Sequence, residues 1–127
     1  MDYNKKVEEF HRAFQRPVRE EPGFESEESK ALRIRLLREE VDELALALKE
    51  NDKLEVLDAL VDIQYILSGS VVEFGFQKVF DAAFEEIHSS NMSKLDENGE
   101  PILREDGKVL KSSKYRKPDL KKVLKST

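Results

Sequence analysis

A chain of 127 residues, with apolar and charged side chains at 39% each, fits one domain of amphipathic helices and leaves little room for a second. The absence of Cys excludes disulfides, thiolate metal sites and Cys nucleophiles. No apolar run is long enough for a signal sequence or a membrane span, so the cytoplasm is the expected location and no membrane is expected as a partner.

The net charge of −5 is unevenly placed: from Lys108 onward eight Lys or Arg face the single acid Asp119, giving +7 and leaving −12 on the first 107 residues. An acidic body with a basic tail argues against a nucleic-acid partner, which would call for basic charge on the folded core. It suits a body that holds cations and a tail that holds anions, although a lysine-rich terminus also serves plain solubility.

The first predicted helix runs from about Tyr3 to Arg16, with Tyr3, Val7, Phe10 and Phe14 on one stripe and Pro17 as its stop. A loop containing Pro22 and Gly23 leads to a second helix from about Ser29 to Glu50. Its apolar stripe is Ile34, Leu37, Val41, Leu44 and Leu48. Asn51-Asp52 breaks that pattern and offers a cap for the next helix.

The third helix, from about Lys53 to Phe74, has two apolar faces: Val56, Leu60, Ile63, Leu67 and Val71, and then Leu54, Leu57, Val61 and Tyr65. Such a helix is normally covered by several neighbours. The remaining stripe holds Glu55, Asp58, Asp62 and Gly69. Gly75 closes this helix. A fourth, from about Gln77 to Met92, places Phe80, Ala83, Phe84 and Ile87 on its core face. From Ser93 to Pro118 no helical period is present, but Asn98-Gly99 and Asp106-Gly107 are hairpin-turn pairs. A short helix after Pro118 completes an all-α chain: a four-helix bundle over about 3–93, then a long loop segment and tail over about 94–127.

Carboxylates three or four residues apart are neighbours on a helix surface, which makes pairs of Glu40 with Glu43 and of Glu55 with Asp58. With Leu37 as the centre of the apolar stripe, Glu40 lies about 60° and Glu43 about 120° to the same side, while Glu39, about 160° away, points outward. Like charges flanking a buried face repel unless a cation compensates them. Single acid pairs are common on solvated helices. Here two pairs edge onto apolar stripes of consecutive helices, and no basic residue shares the third-helix stripe. That coincidence points to a hard divalent cation with oxygen ligands, Mg²⁺ or Mn²⁺ in its place. A di-iron bundle needs two Glu-x-x-His motifs, and only Glu85-Glu86-Ile87-His88 supplies one. His88 reads instead as a helix-surface or interface residue.

These residues resemble the MazG-like branch of the all-α nucleoside triphosphate pyrophosphatases, whose hallmark is E-E-x-x-E, a spacer, then E-x-x-D. Here the pattern reads Glu39-Glu40-Val41-Asp42-Glu43, eleven residues, then Glu55-Val56-Leu57-Asp58. Glu9-Phe10-His11-Arg12-Ala13, Ser90-Asn91-Met92-Ser93-Lys94-Leu95 and Arg104-Glu105-Asp106-Gly107-Lys108 extend the likeness to bacterial members that include dUTP-hydrolysing proteins.

The resemblance implies Mg²⁺ held by Glu40, Glu43, Glu55 and Asp58, with Glu39 and Asp62 as auxiliary ligands or water-positioning groups. It also implies hydrolysis of a nucleoside triphosphate, dUTP or another dNTP, to monophosphate and pyrophosphate. Lys94, Lys108 and Lys111 are expected at phosphate, Asn91 at sugar, base or phosphate, and Tyr115 against a base. A homo-oligomer, dimer or dimer of dimers, is expected from the family and from the two apolar faces of the third helix. The rival readings are a phosphoribosyl-ATP pyrophosphohydrolase and a non-catalytic helical interaction module.

Overall fold

In a computed structural model, which describes residues 1–125, the chain is all-α: α1 (Tyr3–Ala13), α2 (Glu27–Lys49), α3 (Lys53–Glu73), α4 (Gln77–Met92) and a short α5 (Leu120–Lys125). One two-stranded antiparallel ribbon interrupts them, β1 (Ile102–Leu103) with β2 (Val109–Leu110), in the register Ile102 to Leu110 and Leu103 to Val109. No single helix among the described residues is long and apolar enough to cross a membrane. The chain forms two compact units, Met1–Gln77 and Lys78–Thr127.

In the first unit α3 packs against both α1 and α2. Each helix start is capped by a side chain that accepts a backbone N–H three residues on: Asp2 from Lys5, Ser26 from Ser29 and Asp52 from Glu55. Ser26 rather than Ser29 supplies the cap of α2, so that helix begins two residues before the sequence expectation.

The helix ends share one device. At each, a residue with positive φ turns the chain so that two N–H groups fold back on the last carbonyls. After α1 it is Gln15 (φ 58°), which stops the helix at Ala13 ahead of the expected Arg16. After α2 it is Asn51 (φ 55°), with Asp52 N–H donating to Ala47 O at 3.0 Å. Gly75 (φ 78°) does the same after α3, with Phe76 N–H donating to Val71 O at 2.9 Å. A Cβ at Gly75 would collide with the backbone of Glu21. The loop from 14 to 26 is strapped there too: Arg19 N–H donates to Val72 O and Gly23 N–H to Phe74 O.

The buried face of α2 is Arg33 and Ala47, with Leu32, Leu36, Leu37, Glu40 and Leu44 half-buried, so Leu37 and Leu44 of the expected stripe face inward. Ile34, Val41 and Leu48, expected in the core, are exposed, as are Leu54, Leu57, Leu60 and Val61 on α3. What is buried on α3 is Ala59, Ser68, Gly69, Val71, Val72 and Glu73. The buried positions of α3 are mostly small or short side chains, and its larger aliphatic residues lie outside them.

The second unit holds α4 and the C-terminal segment. Arg116 donates to Glu86 at 2.6 Å and to Ser89 Oγ at 2.7 Å, and Asp119 N–H donates to the same Glu86 carboxylate at 2.8 Å. Ser112 Oγ bridges to the carbonyls of Ser93 and Leu95. Asp106-Gly107 makes the β1–β2 hairpin, with Gly107 at φ 89°. Asn98-Gly99 makes a turn closed by Asp96 but no ladder. Phe84 and Ile87, expected to face a core, are exposed on α4, whose buried residues are Val79 and Ser90.

Candidate functional site

The tight turn at Asn51 makes α2 and α3 an antiparallel hairpin, so residues equally far from Asn51 face each other. Glu40 and Asp62 are each eleven residues away. One oxygen from each of Glu40, Glu43 and Asp62 falls within 4.8 Å of the other two. Asp58 stands one turn before Asp62, and after burial its charge helps raise the Asp62 carboxyl. Glu55 is not in this group. It stands four residues past Asn51, level with Ala47, exposed, with its N–H bound to the cap Asp52.

Of the acids expected on α3, Asp62 stands with Glu40 and Glu43, Asp58 lies one turn before it, and Glu55 lies nearer the Asn51 turn. Distance from the turn orders these acids: Glu40 and Asp62 are equidistant from Asn51, Glu43 and Asp58 lie closer to it, and Glu55 lies closest. Glu39 points away, into a shallow groove on the outer side of α2 with Arg35, Arg38 and Asp42.

Burial first, and then the charges of Glu43, Asp62 and Asp58, hold the Glu40 carboxyl above its ordinary range. Asp62 is raised by burial first and then by Asp58 and Glu43. Glu40 Oε2 is buried with no donor facing it. Among the described residues no Lys or Arg forms an ion pair with any of the four. An orphaned buried oxygen inside a like-charged set of oxygen donors fits a hard divalent cation.

A cavity of about 300 Å³ opens one helical turn from these acids, between α1, α2 and α3. Leu36, four residues before Glu40, and Tyr65 and Ile66, three and four after Asp62, link the two. Phe10 meets Tyr65 edge to face at 5.5 Å, and His11, Arg16 and Arg33 supply polar lining. None of these lining residues stood out as a site residue in the sequence, because aromatic residues on a helix stripe read as packing.

The five residues expected at substrate all lie in the second unit. Asn91 is exposed in the last turn of α4 and Lys94 is half-buried just beyond it. Lys108 closes the hairpin, its carbonyl accepting from Arg104 N–H. Lys111 and Tyr115 are brought together, with Nζ 4.7 Å from the ring centre.

A helical hairpin that turns acids toward one another, with a partly aromatic cavity alongside, defines the class: an all-α protein whose carboxylate centre suits a divalent cation. The profile of the phosphoribosyl-ATP pyrophosphohydrolase family matches residues 7–91, and the chain belongs to that family, within the MazG-like all-α nucleotide pyrophosphohydrolases. It is also 35% identical over 96 residues to an uncharacterized protein of Acanthamoeba polyphaga mimivirus. That stretch is 72% of this chain and 38% of the viral protein, so the chain spans well under half the length of that relative.

Proposed function

We propose that the protein hydrolyses a nucleoside triphosphate, dUTP or another dNTP, to the monophosphate and pyrophosphate with Mg²⁺. The observation that carries this reading is the convergence of Glu40, Glu43 and Asp62, joined by Asp58, on an oxygen that no protein donor satisfies. These four would hold the ion. When bound, Mg²⁺ supplies charge neutralisation along the triphosphate, which dominates phosphoanhydride hydrolysis.

The chain's own groups do the rest. A carboxylate with a raised proton affinity, Glu40 or Asp62, is suited to take the proton of an attacking water once it is not saturated as a ligand. Phe10 and Tyr65 seat the nucleoside in the cavity beside the acids. Lys94, Lys108 and Lys111 are this proposal's candidates for phosphate, Asn91 for sugar, base or phosphate, and Tyr115 for stacking on a base.

The active form in this proposal is a homodimer or a dimer of dimers. Its support is the apolar surface of α3: Leu54 is 73% exposed and Leu57 is 61% exposed. An open apolar groove of about 350 Å³ along Tyr3, Leu60, Val61 and Gln64 continues that surface. A second copy covers such a face. No membrane or nucleic-acid partner enters the proposal, and the setting is cytoplasmic.

A second reading is supported by the family's own description: phosphoribosyl-ATP as substrate, whose extra phosphate on the base side would meet Arg16 at the cavity. Pyrophosphate release from dNTPs, NTPs and phosphoribosyl-ATP with Mg²⁺, blanked with Glu43→Gln, separates the two. Turnover of a dNTP above the rest supports the first reading, and turnover of phosphoribosyl-ATP alone replaces it with the second. No turnover of any of them by folded protein returns the chain to an interaction module.

A further inference from the structure

Arg33 lies seven residues before Glu40 on the same strip of α2, and its side chain is only 7% exposed. Its Nη2 donates to the Ile66 carbonyl at 2.6 Å and its Nε to Ser70 Oγ at 3.0 Å. Ser70 Oγ in turn donates to the same Ile66 carbonyl at 3.2 Å. Glu73 Oε2 lies 3.4 Å from Nε, and neither Glu73 oxygen accepts a hydrogen bond although the side chain is 1% exposed.

The guanidinium presses on Gly69, where a Cβ would stand 2.5 Å from Nη2 and 3.0 Å from His11 Nε2. His11 is itself buried, and its Nδ1–H donates to the Pro17 carbonyl at 2.8 Å. Three helices therefore meet on a residue without a side chain.

Stability alone does not call for this arrangement. Desolvating a charged pair is costly, and apolar replacements of the same volume are often neutral or better. A planar fork with donors in fixed directions contributes geometry instead. Arg33 and Gly69 are each eighteen residues from Asn51, so they face each other in the same register as Glu40 and Asp62. The hairpin is thus held at two places, the Asn51-Asp52 turn and the Arg33 fork, and the acids lie between them.

We propose that Arg33 is a positioning residue for the carboxylate centre. By gripping Ile66 and Ser70 it fixes the rotation and spacing of α2 against α3, and so the separation at which Glu40 and Glu43 meet Asp62. The inference rests on reading those carboxylates as a divalent-cation site.

The test is Mn²⁺ binding to the full chain without nucleotide, followed by paramagnetic resonance of the free ion. Arg33→Met combined with Glu73→Met removes both charges together, so no unpaired ion is left in the core. Retention of the fold is checked by circular dichroism and the melting midpoint. The Mn²⁺ dissociation constant should rise about tenfold, the scale of lost ligand orientation. Gly69→Ala keeps both charges but pushes the guanidinium aside, and should move the constant in the same direction.

A folded double variant that binds Mn²⁺ within threefold of the parent overturns the proposal, since the fork would then only fill space. If the double variant does not fold, Gly69→Ala decides by the same threshold. A parent chain that binds no Mn²⁺ overturns the cation reading first, and the positioning role with it.

Discussion

Four carboxylates gathered without a counter-charge leave the metal-free protein carrying an internal repulsion. Glu40 and Glu43, one turn apart, contribute about 0.5 kcal/mol of it by the usual cost of like charges on a helix. Glu40→Gln should therefore raise the melting midpoint in chelator by a few degrees. It should also abolish the upward shift expected of the parent with Mg²⁺. A variant that melts lower in chelator and still responds to Mg²⁺ would remove Glu40 from the centre.

The same crowding predicts how stability depends on pH. Glu40 and Asp62 have raised proton affinity when folded, against ordinary values of 4.5 and 3.8. Above the raised values both states are ionised and the folded state bears the whole cost. As pH falls through them the folded chain takes up protons that the unfolded chain does not, so stability rises until the ordinary values are reached. Glu8 and Asp106 act oppositely and lower down: paired with Arg12 and Arg104, they bind protons less readily when folded. What they contribute is lost as pH falls through their lowered values. Melts in chelator from neutral pH downward should thus pass through a maximum near the ordinary carboxylate range. A midpoint that only falls would contradict the cluster's role.

The helices themselves were largely legible. α4 begins and ends on the residues its periodicity picks, and Gly75 is the stop it reads as. Gln15 carried no such signal, because the left-handed position it occupies is usually given to glycine or asparagine. The apolar stripes were legible as patterns but not as a core, since periodicity identifies a face without saying what covers it. Of the site, Glu40 and Glu43 follow from the wheel. Asp62 was legible as an auxiliary group, its place opposite Glu40 being set by the turn, and Arg33 needed the third dimension, because a charged residue between Leu32 and Ile34 looks like an ordinary surface position.

Gly75 deserves a test at this scale. Gly75→Ala meets both a positive φ and the backbone of Glu21, so it should cost more than the 1 kcal/mol or so of left-handed strain alone. The loss should appear as a lower urea midpoint with unchanged slope. A cost below that figure would mean that the loop across the end of α3 moves freely.

For the molecule as a whole, the exposed aliphatic surface of α3 is the feature that most asks for company. Leu57→Lys places a charge in that surface without touching the acids or the buried face. Light scattering should give a dimer or larger for the parent and a monomer for the variant, with pyrophosphate release falling at least tenfold if the partner completes the site. A parent that scatters as a monomer at working concentration would end the oligomer proposal. A monomeric variant with full activity would separate assembly from catalysis.

Asp52 ends one helix and begins the next: its N–H closes α2 through Ala47, and its carboxylate caps α3 through Glu55. Neither helix can fray at that corner without releasing the other. The two should accordingly open as a single cooperative unit, with amides on both sides of Asn51 exchanging with solvent deuterium at a common rate. An ion held midway between them would then slow that exchange along the whole hairpin, and the protein's least mobile region would be the one its cofactor visits.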